Sequence, residues 1–272
     1  MVNVKKLVVI LFLMLFSVFV ISPLAWMFVT SLKTGPEAIS KEPSWIPQQP
    51  NLDAYPWVIE KFGDSFTVTI LASVGSSWLT LVLTVFGGYS LARFGFPGRK
   101  AISIAYLAGL MFPPVLIGVP VYVMFARIRL TDTILGLILI YTAGSLPFVV
   151  WLLRGYFLTI PYSLEEAAIV DGCSRMGAFF RVVLPLSYPG LIVASLFSFL
   201  SAWNDTLFSL IITSTNQTVS VRMLFWVLDW YRAQYWPGLM AGAVLAILPP
   251  VIVFLVAQKQ FITGLTAGAV KG

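Results

Sequence analysis

Six stretches of the chain run without a charged side chain, at 7–32, 65–92, 101–126, 133–153, 182–204 and 233–258, with lengths of 26, 28, 26, 21, 23 and 26 residues. A helix needs about 20 apolar residues to cross a hydrocarbon core of about 30 Å, so each stretch is long enough. The pattern predicts helices near 8–30, 67–92, 101–125, 134–153, 189–212 and 238–258. Closed strands do not fit, because a barrel alternates polarity over segments of about 10 residues and these runs are continuous. Lys5 and Lys6 ahead of the first run also suit a signal peptide, but the run is long and no small-x-small site ends it, which favours a retained anchor.

Composition agrees with the span count. Of 272 residues, 59% are hydrophobic and 10% charged, against about a quarter charged in a soluble domain. One cysteine, Cys173, excludes an internal disulfide, and the lack of any histidine leaves a zinc site or a catalytic triad short of parts. No metal site and no catalytic residue is expected. The net charge of +6 gathers in no basic cluster interleaved with aromatics, so nucleic acid is not an expected partner.

With the amino terminus inside, Lys5, Lys6, Arg93, Arg99, Lys100, Arg154, Arg175, Arg181, Lys259 and Lys271 fall on the cytoplasmic side. Lys33, Lys41, Lys61, Arg127, Arg129, Arg222 and Arg232 fall outside. Positive residues favour the cytoplasm, so both termini are expected there. Two outer loops follow. The stretch 34–64, with Pro43, Pro47, Pro50 and Pro56, reads as extended, and 214–236 carries Trp226, Trp230, Tyr231, Tyr235 and Trp236 as an interfacial aromatic belt or a ligand cage.

The segment 159–190 is the one long cytoplasmic loop, flanked by Pro161 and Pro189. Ser163 and Glu166 have the spacing of a capping box, which starts a helix there. Ala167 and Ala168 give that helix a shallow side, Gly172 can turn the chain with a positive φ, and Ser174 can cap a second short helix through Phe179 and Phe180 to Arg181. An amphipathic element lying on the headgroups would share this composition.

Glu166-Ala167-Ala168, then Gly172, then Leu184-Pro185 at the same relative spacing resembles the EAA loop of ABC importer permeases. Val182 stands where that motif often has Ile. Ser31-Leu32-Lys33, the run from Asn51 to Tyr55, the segment from Tyr89 to Arg99, Trp203-Asn204-Asp205 and the tail at 264–272 resemble carbohydrate permeases of the maltose and trehalose type, over nearly the whole chain. The resemblance implies an all-α membrane protein of six transmembrane helices, a single transmembrane domain over 1–272 with a coupling loop at 159–190 inside it. It further implies that Glu165, Glu166, Ala167, Ala168, Asp171, Gly172, Leu184 and Pro185 couple the chain to a separate ATPase dimer. A second homologous permease and an extracytoplasmic sugar-binding protein complete the implied assembly in the cell membrane. No Walker A pattern occurs, so ATP and Mg belong to the partner ATPase and no cofactor is expected on this chain.

Asp205 is the one charge placed inside a span, where burial costs roughly 2.5–3.5 kcal/mol on insertion scales. Ser195, Ser198, Ser201, Asn204, Asp205 and Ser209 read as a polar stripe along one side of the fifth helix. Ser201, Trp203, Asn204 and Asp205 are the candidate substrate-pathway residues, since a sugar needs hydrogen-bond partners and an aromatic face. Asn204 and Asp205 equally suit an interhelical tie. Pro113, Pro114, Pro120, Pro147, Pro249 and Pro250 break helix hydrogen bonds, for packing or for a pathway. The small residues of the tail permit a close fit in the ATPase interface, and an unstructured end is the alternative. The rival function is an ion-coupled secondary transporter with Asp205 as its site; an intramembrane enzyme lacks a recognisable catalytic set.

Overall fold

The computed structural model describes residues 4–228 and 235–269, with side chains from 5 to 228 and 235 to 260. All regular structure among them is helical: α1 (Val4–Ser31), α2 (Gly35–Ala38), α3 (Ala54–Arg93), α4 (Arg99–Gly109), α5 (Pro114–Arg127), α6 (Ile134–Thr159), α7 (Tyr162–Val170), α8 (Arg175–Ala178), a π-helical turn (Phe179–Val183), α9 (Leu184–Leu186), α10 (Tyr188–Trp203), α11 (Leu207–Ile212), α12 (Val219–Leu228) and α13 (Trp236–Ala269). Four of these are long and apolar enough to cross a membrane, and two bent pairs bring the number to as many as six if each pair is one span.

The bent pairs correct two expectations. The third run is no single helix, because α4 and α5 meet at 101° across a break at 110–113. Pro113 caps α5 and Pro114 occupies its first turn, where a missing N–H is harmless. The fifth span begins with a 73° bend between Arg175–Leu186 and Tyr188–Trp203, and it ends at Trp203 rather than running on to 212.

The chain divides into two compact units, Met1–Phe66 with Val221–Pro249 and Thr67–Ser220 with Pro250–Gly272. In the first, α1 leaves its whole apolar window exposed, a surface for lipid or another subunit. Residues 54–64, expected to be extended, instead form the first turns of α3, and their apolar face (Ala54, Val58, Phe62) is buried against Ala241. The expected aromatic belt is partly a core: Trp57 packs edge-on against Phe62 and Trp226 at 5.7 and 4.9 Å, and tilted against Tyr235 at 4.6 Å. Trp230 and Tyr231 lie outside the described residues. Burial and the nearby Asp53 carboxylate push the Tyr235 phenol up from its ordinary value. Lys33 is buried, donating to the Ser44 carbonyl over the face of Trp26, and Ser31 hydrogen-bonds Tyr55, which explains the Ser31-Leu32-Lys33 segment as a tether for the following loop.

In the second unit, Thr69, Ser73, Ser76, Thr80 and Thr84 form a fully buried hydroxyl stripe along α3. Small side chains let helices approach closely in a membrane. Thr142 of α6 donates to the Ser76 carbonyl at 3.4 Å, and Ser77 donates to the Ser195 carbonyl of α10 at 2.9 Å. Two apolar clusters flank this stripe. One gathers Phe157, Phe179 and Val183 near the α6–α7 junction, and the other gathers Leu137, Phe208 and Ile212 toward the far end.

Candidate functional site

The segment after α6 folds as a bracket of two short helices. The expected capping box does not form: Pro161 occupies the N-cap position, and Ser163 lies one residue inside α7 with no capping bond. Proline ahead of the first turn sets the start without any side-chain acceptor, so the hydroxyl has no role there. Helical phase then divides the carboxylates. Glu165 and Ala168 turn inward and are buried, whereas Glu166, Ala167, Val170 and Asp171 face outward. Ala168 is therefore part of the packing face rather than of a surface open to a partner.

The turn after α7 matches the expectation from glycine. Gly172 has φ +92, the Cys173 amide donates to the Ala168 carbonyl at 2.9 Å, and the Gly172 amide donates to Ile169 at 3.0 Å. These are the paired bonds of a Schellman end, which places its C′ residue in the left-handed region. Ser174 caps α8, accepting from the Gly177 amide at 3.1 Å. The π-helical turn then carries Phe179 and Val183 into the core together.

Glu165 is held by a buried cluster at the end of α3. Its Oε1 pairs with Arg93 Nε, and its Oε2 accepts from the Tyr89 hydroxyl at 2.8 Å. Arg93 also donates to the Ile160 carbonyl at 2.7 Å and lies 5.6 Å from the centroid of the Tyr162 ring. Tyr89 packs against Phe179 at 4.4 Å, so the same ring touches the second half of the bracket. This arrangement clamps α7 to α3. Sequence reasoning named Glu165 but missed Arg93 and Tyr89 as its partners. Their spacing of four residues, at the end of a charge-free run, is the available signal: it puts both on one face of α3.

Leu184 packs half-buried against the same core, and Pro185 is exposed in the first turn of α9. Gly190 lies where α10 crosses α6; a Cβ there would come within 2.6 Å of the Tyr156 ring. The return to the bundle is thus tightly packed at one point and open at Pro185.

The substrate-pathway candidates do not share one face. Trp203 is buried and stacks on Phe199 at 5.5 Å, while Ser201 and Asn204 are exposed. Asp205 sits in the break between α10 and α11 rather than within a helix, and its Oδ1 accepts from the Phe208 and Ser209 amides at 3.1 Å. The carboxylate acts as a cap for α11, satisfying amides that a broken helix leaves open. The expected stripe is split as well, since Ser198 and Ser209 are buried whereas Ser201 and Asn204 are exposed, and Ser209 belongs to α11 rather than α10.

At the opposite end of this unit, Asp132 ties the α5–α6 turn to the segment after α11. Its Oδ1 accepts from the amides of Ser214, Thr215 and Asn216 at 2.9 Å each, and the Thr215 hydroxyl donates to Oδ2. Burial opposes the charge, but these hydrogen bonds outweigh it and hold the carboxyl well below the usual carboxylate range. Among the described residues, no group of three or more His, Cys, Asp or Glu side chains is arranged to hold a metal. Of the tail, α13 continues through Ala269, its side chains from 261 onward are not described, and 270–272 lie outside the described residues.

A family model described as "Binding-protein-dependent transport system inner membrane component" matches residues 84–266. The inner membrane ABC transporter permease protein YcjP of Escherichia coli is 35% identical over 96% of this chain and 94% of its own length. The trehalose transport system permease protein SugB of Mycobacterium tuberculosis is 34% identical over 92% of each chain. The diacetylchitobiose uptake system permease protein DasC of Streptomyces coelicolor is 32% identical over 92% of this chain and 91% of its own. A crystal structure of a bacterial ABC transporter involved in the import of the acidic polysaccharide alginate contains a chain of the same fold, with a TM-score of 0.81 and 23% identity over 94% of this chain and 96% of that one.

Proposed function

Because the chain belongs to the family of binding-protein-dependent transport system inner membrane components, we propose that it is the permease subunit of an ATP-driven importer whose cargo is a sugar. Membership makes it a multi-pass membrane transport subunit and not an enzyme. The proposed cargo is an oligosaccharide or related glycoside, with maltose and trehalose as first candidates. Relatives named for trehalose and diacetylchitobiose support that class.

The observation that carries the mechanical half of this reading is the division of α7 into two faces. Inward, Glu165 and Ala168 bind the bracket to the transmembrane body; outward, Glu166, Ala167, Asp171 and Gly172 remain open beside Val170, which is 86% exposed. A helix fixed on one face and bare on the other suits a handle that a motor subunit grips. In this account a dimer of ATPase subunits holds ATP and Mg, a second homologous permease completes the pathway, and an extracytoplasmic binding protein delivers the sugar. The loop and both termini face the cytoplasm, where their Lys and Arg residues favour placement. Closure of the ATPase dimer pushes the bracket, and the clamp at Arg93 passes that movement to α3.

Ser201 on α10 and Asn204 at its C-terminal end, both exposed, fit a face that meets the aqueous pathway or the second permease rather than lipid. Asp205, whose carboxylate caps α11, offers the secondary-transport reading no support. Reconstitution in vesicles tests the whole reading: uptake of a labelled disaccharide should require ATP, the ATPase subunits and the binding protein. Uptake by this chain alone under an ion gradient would overturn it.

A further inference from the structure

At the same end of the second unit as the bracket, a cavity of about 730 Å³ is lined by Gly98, Arg99, Lys100, Ser103, Ile104 and Arg154, among others. Three cations from two helices converge there. Arg99 donates one N–H to the Ala92 carbonyl and Arg154 one to the adjacent Leu91 carbonyl, both at 3.4 Å, at the closing turn of α3. Each guanidinium has five donors, so most remain available. Among the described residues none of the three pairs with a carboxylate, in contrast to Arg93, which pairs with Glu165. The α4 N-terminus opens into the same space, and its cap, Gly98 with φ +86, brings no side chain to the first amides.

The apolar side of the same place is equally marked. Past its basic first turn, α4 exposes Ile104 and Leu107, and Leu110 is exposed directly after its end. It lies at 101° to α5, across the direction of that span rather than along it. A basic pocket at the end of the spans, followed at once by exposed apolar surface, has the polarity of a phospholipid: anionic head first, acyl chain next. We propose that Arg99, Lys100 and Arg154 bind the phosphate headgroup of an anionic phospholipid, with an acyl chain laid along α4. Such a lipid neutralises three convergent positive charges that the protein leaves unpaired and fills the cavity between α4 and Arg154 of α6. The proposal stands on these residues alone and does not depend on the cargo.

The test uses the full-length chain purified in mild detergent with the subunits that accompany it. Native mass spectrometry reads retained phosphatidylglycerol against phosphatidylcholine at matched concentrations. One cation near an anionic lipid surface is worth about fivefold in binding, so the three together should give a preference of about a hundredfold. The triple variant Arg99→Gln, Lys100→Gln, Arg154→Gln should bring that preference within about twofold of unity, and Lys6→Gln, on exposed α1, should leave it unchanged. If the triple variant fails to assemble, Lys100→Glu alone, at an exposed position, should still lower the preference at least fivefold. Glycerol 3-phosphate at millimolar concentration should not displace the lipid. Full preference in the triple variant or in Lys100→Glu overturns the site. Displacement by glycerol 3-phosphate overturns the lipid assignment in favour of a soluble anion, and an absence of phosphatidylglycerol preference in the wild type overturns the proposal outright.

Discussion

Replacing Glu165 with alanine should release α7 from the end of α3 while leaving the spans in place. The side chains of Arg93 and Glu165 are 8% and 4% exposed, and deleting one partner of a buried ion pair costs about 3–5 kcal/mol because the other charge is stranded. Tyr89 loses its acceptor too, at about 1–3 kcal/mol for an unsatisfied buried hydroxyl. Arg93 keeps the Ile160 carbonyl and the Tyr162 ring, which argues for the lower end of the combined range. A loss of about 4 kcal/mol corresponds to roughly a 700-fold increase in local opening. Hydrogen exchange of the 162–172 amides in the reconstituted transporter should accelerate by about that factor, and sugar moved per ATP hydrolysed should fall. The pair Arg93→Leu with Glu165→Leu removes both charges, and apolar replacement of a buried ion pair is often neutral, so this double variant should recover most of the protection. Exchange within about threefold of wild type in Glu165→Ala, or a double variant no better than the single one, would refute the clamp.

Three further outcomes follow from the geometry. Gly172→Val forces a β-branched residue to φ +92, a strain of about 1–3 kcal/mol, and should uncouple ATP hydrolysis from uptake while membrane insertion, read by protease accessibility of the loops, stays normal. Gly190→Ala sets a methyl against the Tyr156 ring and should lower thermal stability in detergent by about 1–3 kcal/mol, read as a shift in the unfolding midpoint. The Asp132 carboxyl is held below its unfolded value, so its contribution is full above the ordinary carboxylate range and fades only as pH falls below about 4. Proteolysis within 213–218 should therefore be constant from pH 8 to pH 5 in the wild type and faster at every pH in Asp132→Ala.

The spans were legible because a charge is costly in lipid and its absence over 20 residues is visible without any fold. Their breaks were not. Pro113 and Pro114 sit inside a charge-free run, so counting charges joins α4 to α5, and Asp205 reads as a mid-helix charge because nothing local shows that α10 stops at Trp203. In the bracket, Gly172 and Ser174 announced their roles because a positive φ and a helix cap are local demands. Which of the adjacent Glu165 and Glu166 turns inward is a matter of helical phase, and the phase is set by Arg93, 72 residues earlier in the chain. The hydroxyl stripe of α3 escaped notice for a related reason: serines and threonines within an apolar run matter only once a neighbouring helix is known to press against them.

The claim on which the account turns is that the outer face of α7 is gripped by an ATPase. In a Cys173→Ser background, single cysteines at Ser163, Ala167 and Val170 in the assembled transporter should each crosslink to the ATPase subunit with a short bifunctional reagent, and ATP should change the yields. If none of the three positions reaches a nucleotide hydrolase in a complex that still transports sugar, the coupling role of this bracket is contradicted.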